Sequence, residues 1–273
     1  APLCDENGLL INDPVLIKFA PDNWWVSIAD SDVRLWARGL AFGLGLDVQI
    51  REAAIWPLAV QGPKAEELVS RVFGEEVRGI RFFRSSMLDF QGHSMMVMRS
   101  GYSKQGGFEI YLNDPSLAEP LWDELFKQGE DLKVRAGGPN LIERIESSLL
   151  SYGNDMNFTH NPFECGLDAY MDLDADIDAM SLKALRALRG KHIHQLVGIV
   201  FDEVVEFEDF RVEVAGELVG DVRSQVWSPR YNKYLTMVMM KREFLADNSS
   251  ITIDGKVGNI VDLPFNLKST VES

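Results

Sequence analysis

Ser94-Met95-Met96-Val97-Met98-Arg99 and Phe108-Glu109-Ile110-Tyr111-Leu112 are two β-like runs, and Ser100-Gly101-Tyr102-Ser103-Lys104-Gln105-Gly106-Gly107 joins them. The joining stretch is rich in glycine and polar groups, the chemistry of a loop between strands. Side chains alternate along a strand, so Glu109 and Tyr111 project to the same face, with Tyr102 in the adjoining turn. A glutamate flanked by aromatics at a flexible polar turn is a candidate binding site. A plain surface-facing strand pair gives the same pattern, because exposed Glu and Tyr are ordinary on half-buried strands.

Outward from this pair, strands and helices alternate. Ala1 to Phe19 reads as a strand, a turn at Asp5-Glu6-Asn7-Gly8 and a second strand, and Trp24 to Ser27 continues in extended style after Pro21-Asp22-Asn23. Val33, Trp36, Leu40 and Gly43 mark an amphipathic helix capped by Asp30 or Ser31. Ile55 to Gln61 reads as a strand, and Pro63 to Phe73 as a helix with proline in its first turn. Leu117 to Lys127 and Asn140 to Leu150 have helical spacing. Beyond about Leu182 short strands recur at Leu196 to Phe201, Arg211 to Val214, Leu235 to Met240 and Ile251 to Ile253. This predicts an α+β protein of mixed sheets and helices (residues 1–180), followed by a small C-terminal β-barrel (181–273), since a closed barrel leaves no open edges. The chain opens on Ala1 inside a hairpin, which reads as the middle of a longer chain.

Composition excludes several classes. Forty-two acidic against 27 basic residues give a formal charge of −15, which repels phosphate backbones and argues against nucleic-acid partners. No apolar run approaches the roughly 20 residues of a membrane span. The two cysteines, Cys4 and Cys165, form no CxxC pair, so neither a disulfide framework nor a thiolate metal site is expected, and a cytoplasmic protein fits. The run Asp172-Leu173-Asp174-Ala175-Asp176-Ile177-Asp178 lacks the glycine and the terminal glutamate of an EF-hand, Ile177 and Lys183 standing in their places. His192 and His194 would share a strand face, but two imidazoles without a third ligand make a poor metal site. Gly43-Leu44-Gly45 follows a helix rather than opening one and is no dinucleotide fingerprint.

Several collinear strings together resemble the glycine-cleavage T-protein superfamily of folate-dependent aminomethyltransferases: Asn7-Gly8 to Leu16 with Asp13, Leu58-Ala59-Val60-Gln61-Gly62-Pro63-Lys64, the Arg99 to Ile110 stretch, Tyr152-Gly153-Asn154-Asp155, Gly216-Glu217-Leu218-Val219-Gly220 and Leu263-Pro264-Phe265. The resemblance implies a tetrahydrofolate held in a central channel, its pteridine recognised by Glu109 and packed near Tyr102, and an active-site aspartate at Asp13 that orients folate and substrate. It also implies further strands before Ala1. The chemistry suits the transfer: a carboxylate accepts the pteridine N–H donors in charge-assisted fashion, and an aromatic wall suits the flat ring.

The departures point to one branch. Lys104-Gln105-Gly106-Gly107 replaces the usual Gly-Glu-Asp-Gly turn, Asn140 stands where the T-protein has an arginine that pairs with folate acids, and Ile28 stands where it has asparagine. With Asn161-Pro162-Phe163-Glu164-Cys165-Gly166, these changes resemble the dimethylsulfoniopropionate demethylases of the superfamily. The implied reaction transfers a methyl group from a sulfonium to tetrahydrofolate. A sulfonium with a carboxylate tail is best held by aromatic faces, for which Tyr102, Tyr111 and Trp24 are the candidates, Trp25 and Trp227 following. The alternatives are a glycine-cleavage-type aminomethyltransferase and a non-enzymatic folate-binding assembly protein, whose reactive-cysteine string the Phe163-Glu164-Cys165 match does not reproduce.

Overall fold

The computed structural model describes residues 1–28, 33–214, 216–245 and 250–270. By compactness the chain forms two units, Arg51–Leu149 and a second built from Ala1–Ile50 with Leu150–Ser273. The second unit begins with β1 (Leu3–Cys4), β2 (Leu10–Asn12), β3 (Val15–Ala20), β4 (Asn23–Ser27) and α1 (Val33–Gly43). Hairpin β1–β2 turns where the sequence places it, because Asp5 Oδ1 accepts the amides of Asn7 (2.9 Å) and Leu9 (2.8 Å) and Gly8 takes a positive φ of 79°. The extended run from Leu9 to Phe19 is broken at Asp13-Pro14, since Pro14 has no amide to give a ladder. β3 pairs instead with β4. The expected caps of α1, Asp30 and Ser31, lie outside the described residues.

The Arg51–Leu149 unit holds β5 (Trp56–Gln61), α2 (Ala65–Phe73), β6 (Ser85–Phe90), β7 (His93–Met98), β8 (Gly107–Leu112), α3 (Ala118–Gln128) and α4 (Leu141–Glu146). Its strands form an antiparallel sheet in the order β5-β8-β7-β6. Phe108, Ile110 and Leu112 of β8 join Leu68 and Val69 of α2 and Leu121 of α3 in one apolar core, so the odd positions, Glu109 and Tyr111, leave by the other face. Two helices are shorter than read. Pro63 precedes α2, which starts at Ala65 behind Lys64 with Glu66 and Glu67 in its first turn, where they favour the helix dipole. α4 ends at Glu146 rather than Leu150, the next turn being broken by Ser148 with φ of 52°. Asn140 caps α4, its Oδ1 accepting the amides of Ile142 (2.9 Å) and Glu143 (3.3 Å).

The remainder of the chain contains α5 (Leu182–Leu188), β9 (His194–Phe201), β10 (Arg211–Val214), β11 (Glu217–Ser228), β12 (Lys233–Lys241), β13 (Ser250–Ile253) and β14 (Lys256–Val261). The six strands form one antiparallel sheet, β10-β11-β12-β9-β14-β13, whose outer strands β10 and β13 lie close enough to make a nearly closed barrel. The α+β fold with a C-terminal barrel is as the sequence predicts. Val197, Ile199, Val212, Val219, Val238 and Ile253 fill the barrel. β6, β11 and β14 were not legible: β6 and β11 mix charged and polar residues among the apolar ones, and β14 carries Lys256 and Asn259 on exposed positions. The barrel strands all lie past residue 181, whereas compactness groups them with Ala1–Ile50.

Candidate functional site

In the Arg51–Leu149 unit the site face of β8 is built around one amide. Gln61, last residue of β5, donates from Nε2 to the carbonyls of Ser100 (3.0 Å) and Phe108 (3.3 Å), and its Oε1 accepts the Ser103 hydroxyl at 2.9 Å. The loop wraps this side chain so closely that a Cβ on Gly101 would lie 2.0 Å from Gln61 Oε1, and one on Gly107 would lie 2.4 Å from the Val60 carbonyl. Only glycine fits at either position. Ser100, 4% exposed, then donates its hydroxyl to Glu109 Oε2 in a short hydrogen bond. Arg99 is anchored by Glu66 at 2.7 Å and lies over the Phe108 ring.

The predicted pair on β8 is brought together as read. Glu109 is half-buried and Tyr111 is buried, with its hydroxyl 4.0 Å from Met98 Sδ. Tyr102 is 41% exposed and its hydroxyl reaches the Leu149 carbonyl at 3.3 Å. Beside it, Lys104 extends toward the Ser147 carbonyl at 3.5 Å. Tyr102 therefore presents a ring on the loop, while Tyr111, on the same strand face as Glu109, is buried beside Met98.

Asp13 and Trp24 belong to the other unit. Asp13 follows Asn12, whose Oδ1 accepts the Asp13 amide at 2.8 Å. Burial pushes the Asp13 carboxyl up to about 6, with nearby Asp155 adding to the rise and its own backbone contact and the Ala1 amine opposing it. Asp155 is fully buried, accepting the Ser151 amide at 2.8 Å and a short hydrogen bond from Ser224. Ser224 reaches it because the β11–β12 register shifts between Val222 and Ser224, and a bulge re-aims side chains. The same irregularity carries Arg223, which pairs with Asp221 at 2.7 Å and meets His160 Nε2 at 3.2 Å. Burial, then Arg223, pushes the His160 pKa down. Tyr152 ties this segment to β2 through the Leu10 carbonyl at 3.2 Å.

In the sequence, Tyr152 to Asp155 carries resemblance but no legible role, and Ser224 and Arg223 carry no signal. A fully buried aspartate is invisible in composition, and the bulge that aims Ser224 depends on strand pairing. Trp24 is 53% exposed on β4 with Lys18 Nζ over its ring at 5.3 Å, Trp25 stacks on Phe19 at 4.9 Å, and Trp227 lies on β11. The two histidines read as sharing a strand do not, because β9 starts at His194. Glu164 accepts the His194 amide at 3.3 Å and meets its Nδ1 at the same distance. Among the described residues no group of three or more His, Cys, Asp or Glu is placed to hold a metal ion, and no helix is long and apolar enough to cross a membrane.

A strand carboxylate held by a glycine-rich loop in one unit, and a half-buried aspartate near a fully buried one in the other, sit in a fold shared with folate-dependent one-carbon transferases. The family model of the GCVT N-terminal domain matches residues 1–175, and the chain belongs to that family. Within it, the chain is 43% identical over 254 residues to the dimethylsulfoniopropionate demethylase DmdA of Ruegeria pomeroyi, a match covering 93% of this chain and 70% of that protein. It is 30% identical to an aminomethyltransferase of Clostridium botulinum strain Langeland, covering 89% of this chain and 67% of that one. In structure it is similar to the glycine cleavage system aminomethyltransferase T of Bartonella henselae, with a TM-score of 0.79 at 21% identity over 96% of this chain and 74% of the other.

Proposed function

We propose that this protein is a tetrahydrofolate-dependent demethylase that moves a methyl group from the sulfonium of dimethylsulfoniopropionate to tetrahydrofolate, giving methylmercaptopropionate and 5-methyltetrahydrofolate. The observation that carries this reading is the 43% identity to the demethylase against 30% to the Clostridium botulinum aminomethyltransferase. Asn140 supports it. Its neutral amide caps α4 through Oδ1 and carries no cation for the folate acids at the position where the resemblance implies an arginine in the aminomethyltransferases.

The residues fit a reduced pteridine. Glu109 lies on the sheet face turned from the core, and among the described residues its Oε1 has no hydrogen-bond partner, which leaves a carboxylate oxygen for the N–H donors of the ring edge. When bound, tetrahydrofolate supplies a neutral ring nitrogen as nucleophile. The C–S bond breaks with its electron pair going to sulfur, the N–C bond forms, and the nitrogen proton passes to water, so the transfer is redox-neutral. The protein's work is alignment and water exclusion rather than base catalysis. In this reading Glu109 of the Arg51–Leu149 unit holds the pteridine, and Tyr102 and Tyr111 of the same unit offer aromatic faces to the ring and the sulfonium. For the other unit, Asp13 is read as the aspartate that the resemblance makes an orienting residue, and Trp24 as a candidate aromatic face for a sulfonium. Residues 1–180 act as the folate-binding domain and 181–273 as the barrel domain. Free, buried Cys4 and Cys165 suit a reducing, cytoplasmic setting.

Mass spectrometry of the protein incubated with tetrahydrofolate and dimethylsulfoniopropionate tests the reading. Methyltetrahydrofolate and methylmercaptopropionate in equal amounts are expected. Folate binding without either product would sink the demethylase assignment and leave the aminomethyltransferase reading in its place.

A further inference from the structure

We propose that Gln61 and Ser100 are positioning residues for tetrahydrofolate binding, acting through Glu109; the inference rests on the reading of Glu109 as the pteridine carboxylate. Glu109 stands in mid-strand on β8, where χ rotation would let its carboxylate sample several orientations. Ser100 removes that freedom. Its hydroxyl donates to Oε2, and a carboxylate oxygen keeps further lone pairs after accepting one hydrogen bond. The contact therefore fixes the carboxylate plane while leaving Oε1, and part of Oε2, open to a ligand.

Ser100 needs fixing in turn, because it opens the loop that carries Tyr102. Gln61 fixes it. A single amide binds the loop at its start through the Ser100 carbonyl, at its middle through the Ser103 hydroxyl and at its end through the Phe108 carbonyl. The bonds are mutually consistent: both Nε2 contacts are carbonyl acceptors, and the Oε1 contact is a hydroxyl donor. Gly101 and Gly107 leave room for the amide, since a Cβ on either would overlap it. The Gly62 amide donating to the Gly106 carbonyl at 2.9 Å holds the loop's far end to the same strand terminus. Gln61 thus fixes Ser100, and Ser100 fixes Glu109, a chain of support from β5 to the binding carboxylate.

The test is a double-mutant cycle read by calorimetric titration of tetrahydrofolate under anaerobic conditions, on wild type, Ser100→Ala, Glu109→Ala and the double variant, with Ser100→Thr and Gln61→Glu alongside. Ser100→Ala is expected to weaken binding about five- to tenfold and Ser100→Thr, which keeps the hydroxyl, to recover most of that loss. Gln61→Glu keeps the shape but loses both carbonyl contacts, and is expected to weaken binding to a similar extent. The double variant is expected to bind no more weakly than Glu109→Ala alone, because Ser100 has nothing left to orient. Multiplying losses in the double variant, or wild-type affinity in Ser100→Ala, would overturn the positioning role while leaving Glu109 in place. Wild-type affinity in Glu109→Ala would remove the folate assignment of Glu109 and the positioning role with it. Urea midpoints on the same proteins separate an unfolded variant from a weak binder, and the Gln61 and threonine variants carry the test if Ser100→Ala does not fold.

Discussion

Two carboxylates, Glu109 and Asp13, are set in opposite ways. Glu109 emerges from a strand whose alternate residues fill an apolar core, and it is oriented by a neutral hydroxyl on a loop clamped by an amide. Asp13 sits at a chain break forced by Pro14, half-buried and near the fully buried Asp155, which accepts a hydrogen bond from Ser224. One acid is half-buried on a strand face and accepts a single hydroxyl from Ser100. The other is withdrawn from water beside a like charge, at an energetic cost that the fold sustains. The difference separates binding from stability: substitutions around Glu109 should move affinity, and those around Asp13 should move folding as well.

The sharpest break comes at Asp155. Asp155→Ala leaves the Ser151 amide and the Ser224 hydroxyl buried without their acceptor, and a loss of about 2–4 kcal/mol in unfolding free energy is expected, read as a lower urea midpoint. Glu109→Ala comes next, with tetrahydrofolate affinity down about 10- to 100-fold by titration and a urea midpoint that falls less than for Asp155→Ala, because the Ser100 hydroxyl alone loses its acceptor. If that midpoint fell as far as for Asp155→Ala, the contrast between the two seats would collapse.

Asp13→Asn probes the cost directly. The folded carboxyl titrates at about 6 against 3.8 for the free group, so the folded state holds its proton more tightly than the unfolded state. The contribution of Asp13 to stability is then fullest below about pH 4, declines as the pH rises from about 4 to 6, and stays reduced above that. Removing the charge should stabilise the protein at pH 7.5 by about 1–3 kcal/mol, with the gain over wild type vanishing toward pH 4, while methyl transfer falls. Urea unfolding at several pH values measures it; a gain that persists at pH 4 would place its origin outside the titration of Asp13.

Glu109 was legible because strand alternation and a glycine-rich turn are written locally. The face, the loop and the two glycines all follow from a dozen contiguous residues. Gln61 was quoted within a motif but its role was hidden, since it acts across 39 residues of sequence to Ser100. The acidic seat was less legible still. Asp13 entered through resemblance, and its partner Asp155 is joined to Ser224 across 69 residues by way of a register shift in a strand too polar to be read. The barrel as a whole was anticipated from short apolar runs, whereas β11, its longest strand, was missed because polar Arg223, Ser224 and Gln225 interrupt the alternation. Local pattern gives elements and faces, and long-range pairing decides which charges meet.

The smallest expected effect lies at Tyr102, which belongs with Glu109 in this comparison. Its hydroxyl makes a long bond to the Leu149 carbonyl from a 41% exposed position, a contact worth little in water. A sulfonium is attracted by the quadrupole of a ring and has no use for the hydroxyl, and such a contact at a partly exposed site is worth about 0.5–1 kcal/mol. Tyr102→Phe should therefore leave the KM for dimethylsulfoniopropionate within about twofold of wild type. Tyr102→Leu, equally apolar but without the π-face, should raise it about two- to fivefold with the urea midpoint unmoved. Equal KM values for the two variants would take Tyr102 out of the sulfonium site and leave it as a wall of the folate loop alone, whereas a KM that rises already in Tyr102→Phe would assign the work to the hydroxyl and its hold on Leu149.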